Sequence, residues 1–254
     1  MTPPTFRLDG LKPLPYDSRD RQFATYRTPL VSVPANFGHY AEITPGTWGM
    51  LDNDQYGDCF PAGQGHAVMQ YSAEGGHAVT VAPAETLADY FSMNGVKPGQ
   101  PGSASDQGTD PRAGLQYHKN VGMLAIRNER HKLAGYVSLE VGNLDELAEA
   151  AYLFGVAGIG INCPQSAQDQ FPSGYWRVIP GSPVEGGHWI VCVGRWHGYY
   201  EIVTWGRRIH VTAAFLEKYM TCAFGMLSPE IIGGAGKSPE GFAYQQLSAD
   251  LGLI

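Results

Sequence analysis

Residues 53–68 read NDQYGDCFPAGQGHAV. A Gly57-Asp58 pair leads into one cysteine, Cys59; an aromatic, a proline and small residues follow it. That is how a helix begins. Asp58 stands at a cap position, and Pro61 sits in the first turn, where its missing N–H costs nothing. The spacing predicts a helix from Cys59 to about Ser72, stopped by Gly75-Gly76. A cysteine at a helix N-terminus meets unpaired N–H groups, which favour the thiolate. Three readings stand open: a nucleophile, a small buried residue, or the remnant of a nucleophile.

A nucleophilic thiol needs a base within hydrogen-bond reach. His188, in EGGHWIVCVG (185–194), is the candidate. Gly186-Gly187 permit close backbone approach, and His188 opens an apolar strand, so its ring can face a cleft. Its separation from Cys59, 129 residues, suits a cysteine–histidine enzyme of this kind.

The rest of the chain falls into two textures. Helices are expected over 83–95, 110–122 and 143–155. The last has Asn143 as cap, Glu146 at the capping-box position and Gly155 as stop. Strands are expected over 156–162, 188–196 and 199–206, then a short helix over 212–220 and a last strand after it. Helix-rich first and strand-rich second implies an α+β fold with a cleft between two subdomains. Residues 1–45, rich in proline and turn formers, read as an extended arm tied down on its own domain or a neighbouring chain, either a propeptide-like segment that fills the cleft or an assembly arm. The main domain is expected over 46–232, with a helical part (46–142) and a β-rich part (143–232). Residues 233–254 read as a linker and a short helix.

Seventeen Lys and Arg against 24 Asp and Glu leave a net charge of −7, and Arg207-Arg208 is the one adjacent basic pair, so nucleic acid is disfavoured as a partner. No stretch approaches the roughly 20 apolar residues of a membrane span. The N-terminus lacks the apolar core of a secretory signal, so synthesis in the cytoplasm is expected. Cys59, Cys163, Cys192 and Cys222 are scattered without a C-x-x-C pair, which points to reduced thiols rather than disulfides or zinc. The histidines have no ligand spacing, so no metal and no cofactor are expected.

The ordered set of segments resembles the papain-like cysteine peptidase family in its bacterial and phage form. The segments are LPYDSRDRQF (14–23), NDQYGDCF (53–60), DQGTDPRAGLQYHKNVGM (106–123), LAGYVSLEVGNLDELAEAAYLFGVAGIGIN (133–162), SGYW (173–176), EGGHWIVCVGRW (185–196) and YYEIVTWG (199–206). The resemblance runs from about residue 11 to 228. It implies a helical subdomain facing an antiparallel, β-barrel-like one. It further implies Cys59 as nucleophile, His188 as general base and acid, and Asn53, six residues before Cys59, as side-chain oxyanion donor in place of the family's glutamine. The backbone N–H of Cys59 would be the second donor, and Trp205 would shield the histidine.

Three positions depart from the family pattern. Its third residue is an asparagine two before the tryptophan, where this chain has Val203. Strand alternation puts residues 201, 203 and 205 on one face, so Val203 is expected against His188, Glu201 one pair further along, and Thr204 on the opposite face. Asp58 sets a carboxylate beside Cys59, which opposes the thiolate. Asn53 is shorter than glutamine. The expected function is therefore a cysteine peptidase or related amide hydrolase acting on peptide or protein. The alternative is a weak or inactive papain-fold part of a phage virion, capsid- or tail-associated, self-associating through the proline-rich arm.

Overall fold

The protein is described by a computed structural model covering residues 5–26, 32–38, 43, 46–95, 97 and 99–231. A two-residue strand β1, Phe37–Gly38, precedes three helices: α1, Cys59–Glu74; α2, Pro83–Asn94; and α3, Pro111–Asn120. Strands β2, Met123–Ala125, and β3, Glu129–His131, form a small ribbon. Then come β4, Gly135–Ser138; α4, Leu144–Phe154; β5, Ala157–Pro164; α5, Gln165–Gln170; and β6, Tyr175–Trp176. The chain continues through β7, Val184–Trp196; β8, Tyr199–Thr204; β9, Arg207–Thr212; α6, Ala213–Tyr219; and β10, Met220–Leu227.

Helix α1 is buried from Cys59 to Ala73, so it cannot be a two-faced surface helix. Its glycines explain how it fits. A Cβ on Gly63 would stand 2.6 Å from the Trp189 ring, and one on Gly65 would stand 3.1 Å from Leu51. Glycine costs up to about 1 kcal/mol within a helix, which close packing against β7 offsets. The other helices start and stop as their sequences dictate. Asp110 accepts from Ala113 N–H (2.9 Å), and Asn143 accepts from Glu146 N–H (3.1 Å). Gly95 and Gly155 take the left-handed conformation at the ends of α2 and α4. The Glu146 carboxylate does not close the expected box; it accepts from Glu140 N–H at 2.8 Å instead. Asp58 precedes α1 but makes no side-chain cap bond, because it is fully buried and held elsewhere.

The large sheet has the order β4-β10-β5-β7-β8-β9-β6, with β1 added against the far end of β7. Every pairing is antiparallel except β6 with β9. It is an open, mostly antiparallel sheet ending in β4 and β6, so the barrel-like expectation is corrected to a sheet without closure among the described residues. Strand β4 joins this sheet although it precedes residue 143, and α4 packs on β10 and β7.

Alternation along β7 divides the core. Ile190 and Cys192 face one apolar cluster with Leu147, Phe154 and Phe215. Trp189, Val191 and Val193 face the other, with Phe60 and Met69 of α1. Both faces are covered, which is why WIVCV reads as an unbroken apolar run. The arm is tied down on its own chain: Phe6, Leu8, Leu11 and Phe23 are all buried. The expected C-terminal linker and helix, 233–254, lie outside the described residues. No helix among the described residues is long and apolar enough to cross a membrane.

Candidate active site

Cys59 is the first residue of α1 and is 1% exposed. The first-turn N–H groups and the Trp189 backbone N–H favour its thiolate, but burial dominates and pushes its pKa upward. Gly10 packs directly over it: a Cβ on Gly10 would lie 2.7 Å from the Cys59 sulfur. All four cysteines are free and buried.

His188 lies in β7, paired with Ile161 of β5, and is completely buried. Its Nε2 is 2.7 Å from Thr204 Oγ1, and its ring stacks on Trp205 with centroids 4.7 Å apart. Its Nδ1 has no hydrogen-bond partner, so the Cys59–His188 hydrogen bond is not formed. Desolvation pushes the His188 pKa down to about 3. Thiol and imidazole are therefore both held neutral.

The expected faces of β8 are reversed. Val203 does not meet His188; it lies in the α1-side cluster with Trp189 and Val191. Thr204, expected on the far face, is the residue that holds the ring. The cause is the turn. Thr204 pairs with Arg207, so Trp205-Gly206 form a two-residue hairpin loop, with φ values of 45° and 71°. Positive φ at both central residues is the requirement of a type I′ turn. Trp205 is thus outside the strand, and counting alternate residues back from it gives the wrong parity. Glu201, one pair further along, pairs with Arg208 (3.3 Å) and His210 (3.5 Å) and not with His188.

Asn53 is buried, and its Nδ2 donates to Asp58 Oδ1 at 3.1 Å. Asp58 Oδ2 has no partner, and burial raises the Asp58 pKa well above the usual carboxylate range. A protonated Asp58 opposes a neighbouring thiolate less than a carboxylate does. His66, on the same helix, is engaged with Gly49 O at 3.0 Å. No group of three or more His, Cys, Asp or Glu converges on a metal-sized site among the described residues.

A further component is a strap, residues 5–12, running along this site, one of the placements left open for the arm. Phe6 stacks on Trp205 (4.2 Å), on the same indole that meets His188. Phe6 N–H donates to Gln168 Oε1 (2.5 Å), and Leu8 O lies against Gly186. Gly10 C=O accepts from Thr109 N–H (2.9 Å), and Lys12 N–H donates to Thr109 O (3.0 Å), a parallel bridge centred on Leu11. Leu11 O lies against Gly187. Gly186 and Gly187, expected to allow close approach, do so for the strap. The only sequence signal was a few buried-type residues, FRLDGL, within a proline-rich arm.

No protein-family model and no curated protein matches the chain. Solved structures do. Xylellain, a cysteine protease from Xylella fastidiosa, superposes with a TM-score of 0.66 at 13% identity, over 88% of this chain and 97% of that one. Digestive procathepsin L2 from Tenebrio molitor larval midgut gives 0.61 at 15% identity, over 87% and 78% of the two chains. The Carica candamarcensis cysteine protease CMS1MS2, solved with E-64, gives 0.54 at 16% identity, over 77% and 99%. Together with the buried helix α1 meeting β7 at Cys59, these likenesses show that the chain has the papain-like fold of cysteine proteases.

Proposed function

We propose that this protein is a cysteine peptidase or related amide hydrolase, latent while its strap occupies the cleft. The observation that carries the reading is the state of His188. Its ring is fixed by Thr204 and Trp205, and Nδ1 is left without a partner. A buried imidazole with one nitrogen unsatisfied is costly unless it has a use, and a thiol at the start of α1 supplies one. With Nε2–H donating to Thr204, Nδ1 is the basic nitrogen. Once the strap lifts, the Cys59 sulfur gives its proton to Nδ1 and attacks an amide carbonyl. The imidazolium then protonates the leaving amine, and water releases the acyl group. The Cys59 N–H and Asn53 Nδ2 hold the oxyanion, with Asn53 kept in place by Asp58.

Localisation in the cytoplasm and a peptide or protein substrate belong to the same proposal. The virion-part reading requires the arm to reach another chain. The described residues 5–12 instead bury their apolar side chains on their own cleft, which favours the peptidase. The test is hydrolysis of a fluorogenic peptide by the chain after limited proteolysis of the strap. Turnover lost in Cys59→Ala and in His188→Ala supports the reading. Strap-free protein whose Cys59 reacts with iodoacetamide no faster than glutathione, with no turnover, overturns it.

A further inference from the structure

Asp106 is buried on the same wall of the cleft as the nucleophile, and Arg7 of the strap is bound to it. Its side chain is wholly inaccessible. Three donors fix it: Gly57 N–H (3.0 Å) and Tyr90 OH (2.6 Å) on Oδ1, and Gly102 N–H (2.9 Å) on Oδ2. Gly57 is two residues before Cys59, so this carboxylate is braced to the nucleophile's own loop. Arg7 Nη1 donates to Oδ2, and Arg7 Nη2 donates to the Asp106 carbonyl at 2.8 Å. Backbone at Gly102 borders the guanidinium; a Cβ there would lie 3.7 Å from Arg7 Nη1.

We propose that Asp106 forms a subsite for an arginine side chain of a peptide bound in the cleft, filled at rest by Arg7. This deepens the reading above, because it rests on the cleft being one that binds peptides. One residue offers a carboxylate oxygen and a main-chain carbonyl to two nitrogens of one planar group. That arrangement matches the fork of a guanidinium and not the single charge of an ammonium, so arginine is favoured over lysine. The other edge of Arg7 is taken by Asp9, at 2.5 Å from Nε and 2.8 Å from Nη2. Asp9 is largely exposed and belongs to the strap, so it leaves when the strap leaves. Asp106 stays behind, buried, fixed by three donors and without its cation. An incoming arginine restores the pair. A neutral side chain leaves a desolvated carboxylate uncompensated.

The test reads protection of Cys59, not turnover, so it can fail independently of the peptidase reading. In full-length Arg7→Gln protein, Cys59 alkylation by iodoacetamide is expected to accelerate about tenfold or more, since the charged anchor is gone. The synthetic peptide TFRLDGLK, added in trans, is expected to slow that alkylation again. The same peptide with Gln in place of Arg should need about tenfold higher concentration, and the Lys peptide should fall between them. In Asp106→Asn protein, checked for a native melting transition, the three peptides should protect alike. If that variant does not fold, discrimination among the peptides on Arg7→Gln protein decides alone. Unchanged alkylation in Arg7→Gln, or equal protection by the Arg and Gln peptides, overturns the proposal.

Discussion

Gly10 lies so close to Cys59 that a Cβ on it would stand 2.7 Å from the sulfur and 3.0 Å from the Gly57 carbonyl carbon. The strap can seal the thiol only because this residue has no side chain. Gly10→Val therefore cannot keep its place without moving the first turn of α1 or lifting the strap. The strap is the cheaper element to move, because α1 is buried along nearly its whole length and packed on β7, whereas residues 5–12 are a short extended segment outside the sheet. Alkylation of Cys59 in Gly10→Val should rise by at least an order of magnitude, roughly what opening a locally closed segment by ~1–2 kcal/mol gives. The melting temperature should change little. An unchanged labelling rate would show that the strap does not control access.

Thr204 holds the His188 ring, so under the proposed function it acts through His188 rather than on substrate. Thr204→Val removes the one hydroxyl bonded to Nε2 and leaves that nitrogen buried, at a cost of about 1–3 kcal/mol. Thr204→Ser keeps the hydroxyl and should recover most of the loss. If strap-free protein hydrolyses peptide as proposed, Thr204→Val should lower kcat by ~10² while KM changes little, because on that reading a wrongly oriented imidazole fails in the proton-transfer step. The pH profile of kcat/KM should move in Val and not in Ser. Equal kinetics for Val and Ser would reduce Thr204 to a packing residue.

Three buried histidines make the fold sensitive to acid. Desolvation pushes His66 down to about 4, and His118 and His188 down to about 3. An unfolded histidine titrates near ~6.5, so below that value the unfolded chain binds more protons than the folded one. The stability these groups contribute is complete above ~6.5 and is lost as pH falls toward their folded values. The contribution of these three groups should therefore fall between pH 7 and pH 4, offset in part by Asp58, whose raised pKa makes the folded chain take up a proton that the unfolded chain binds only at lower pH. His118 Nδ1 is 2.8 Å from Gln64 Oε1, so His118→Gln retains a donor while removing one titrating group. Its stability should depend on pH with a shallower slope, by about one proton near pH 5. A slope identical to that of the unaltered protein would contradict the assignment.

Much of the fold was legible. The helices at 59, 83, 111 and 144 announce themselves through Pro61, Pro83, Asp110, Asn143 and the glycines that stop them, because caps and turns act over a few residues. The run HWIVCV was legible as an apolar strand, and the structure added that both its faces are covered. Strand β9 was not, because RRIHVT carries little apolar alternation and follows β8 through a turn whose first residue is a tryptophan. That unread turn produced the error at the site: with Trp205 taken as strand, Val203 and Thr204 exchange faces. The Gly206 that follows it was the local signal for the loop.

The sequence by itself determined the elements, the placing of Cys59 at a helix start and of His188 on an apolar strand, and the order of segments that resembles papain-like peptidases. These depend on local geometry and on periodicity, which neighbouring residues encode. Only the tertiary structure decided that Thr204 holds His188, that Asp106 receives Arg7, and that Gly10 covers Cys59. Each joins parts of the chain whose approach depends on how the sheet and α1 pack, and on where an extended strap finds backbone partners. Nothing in residues 5–12 encodes that destination except the fit of small and apolar side chains to a cleft the rest of the chain builds.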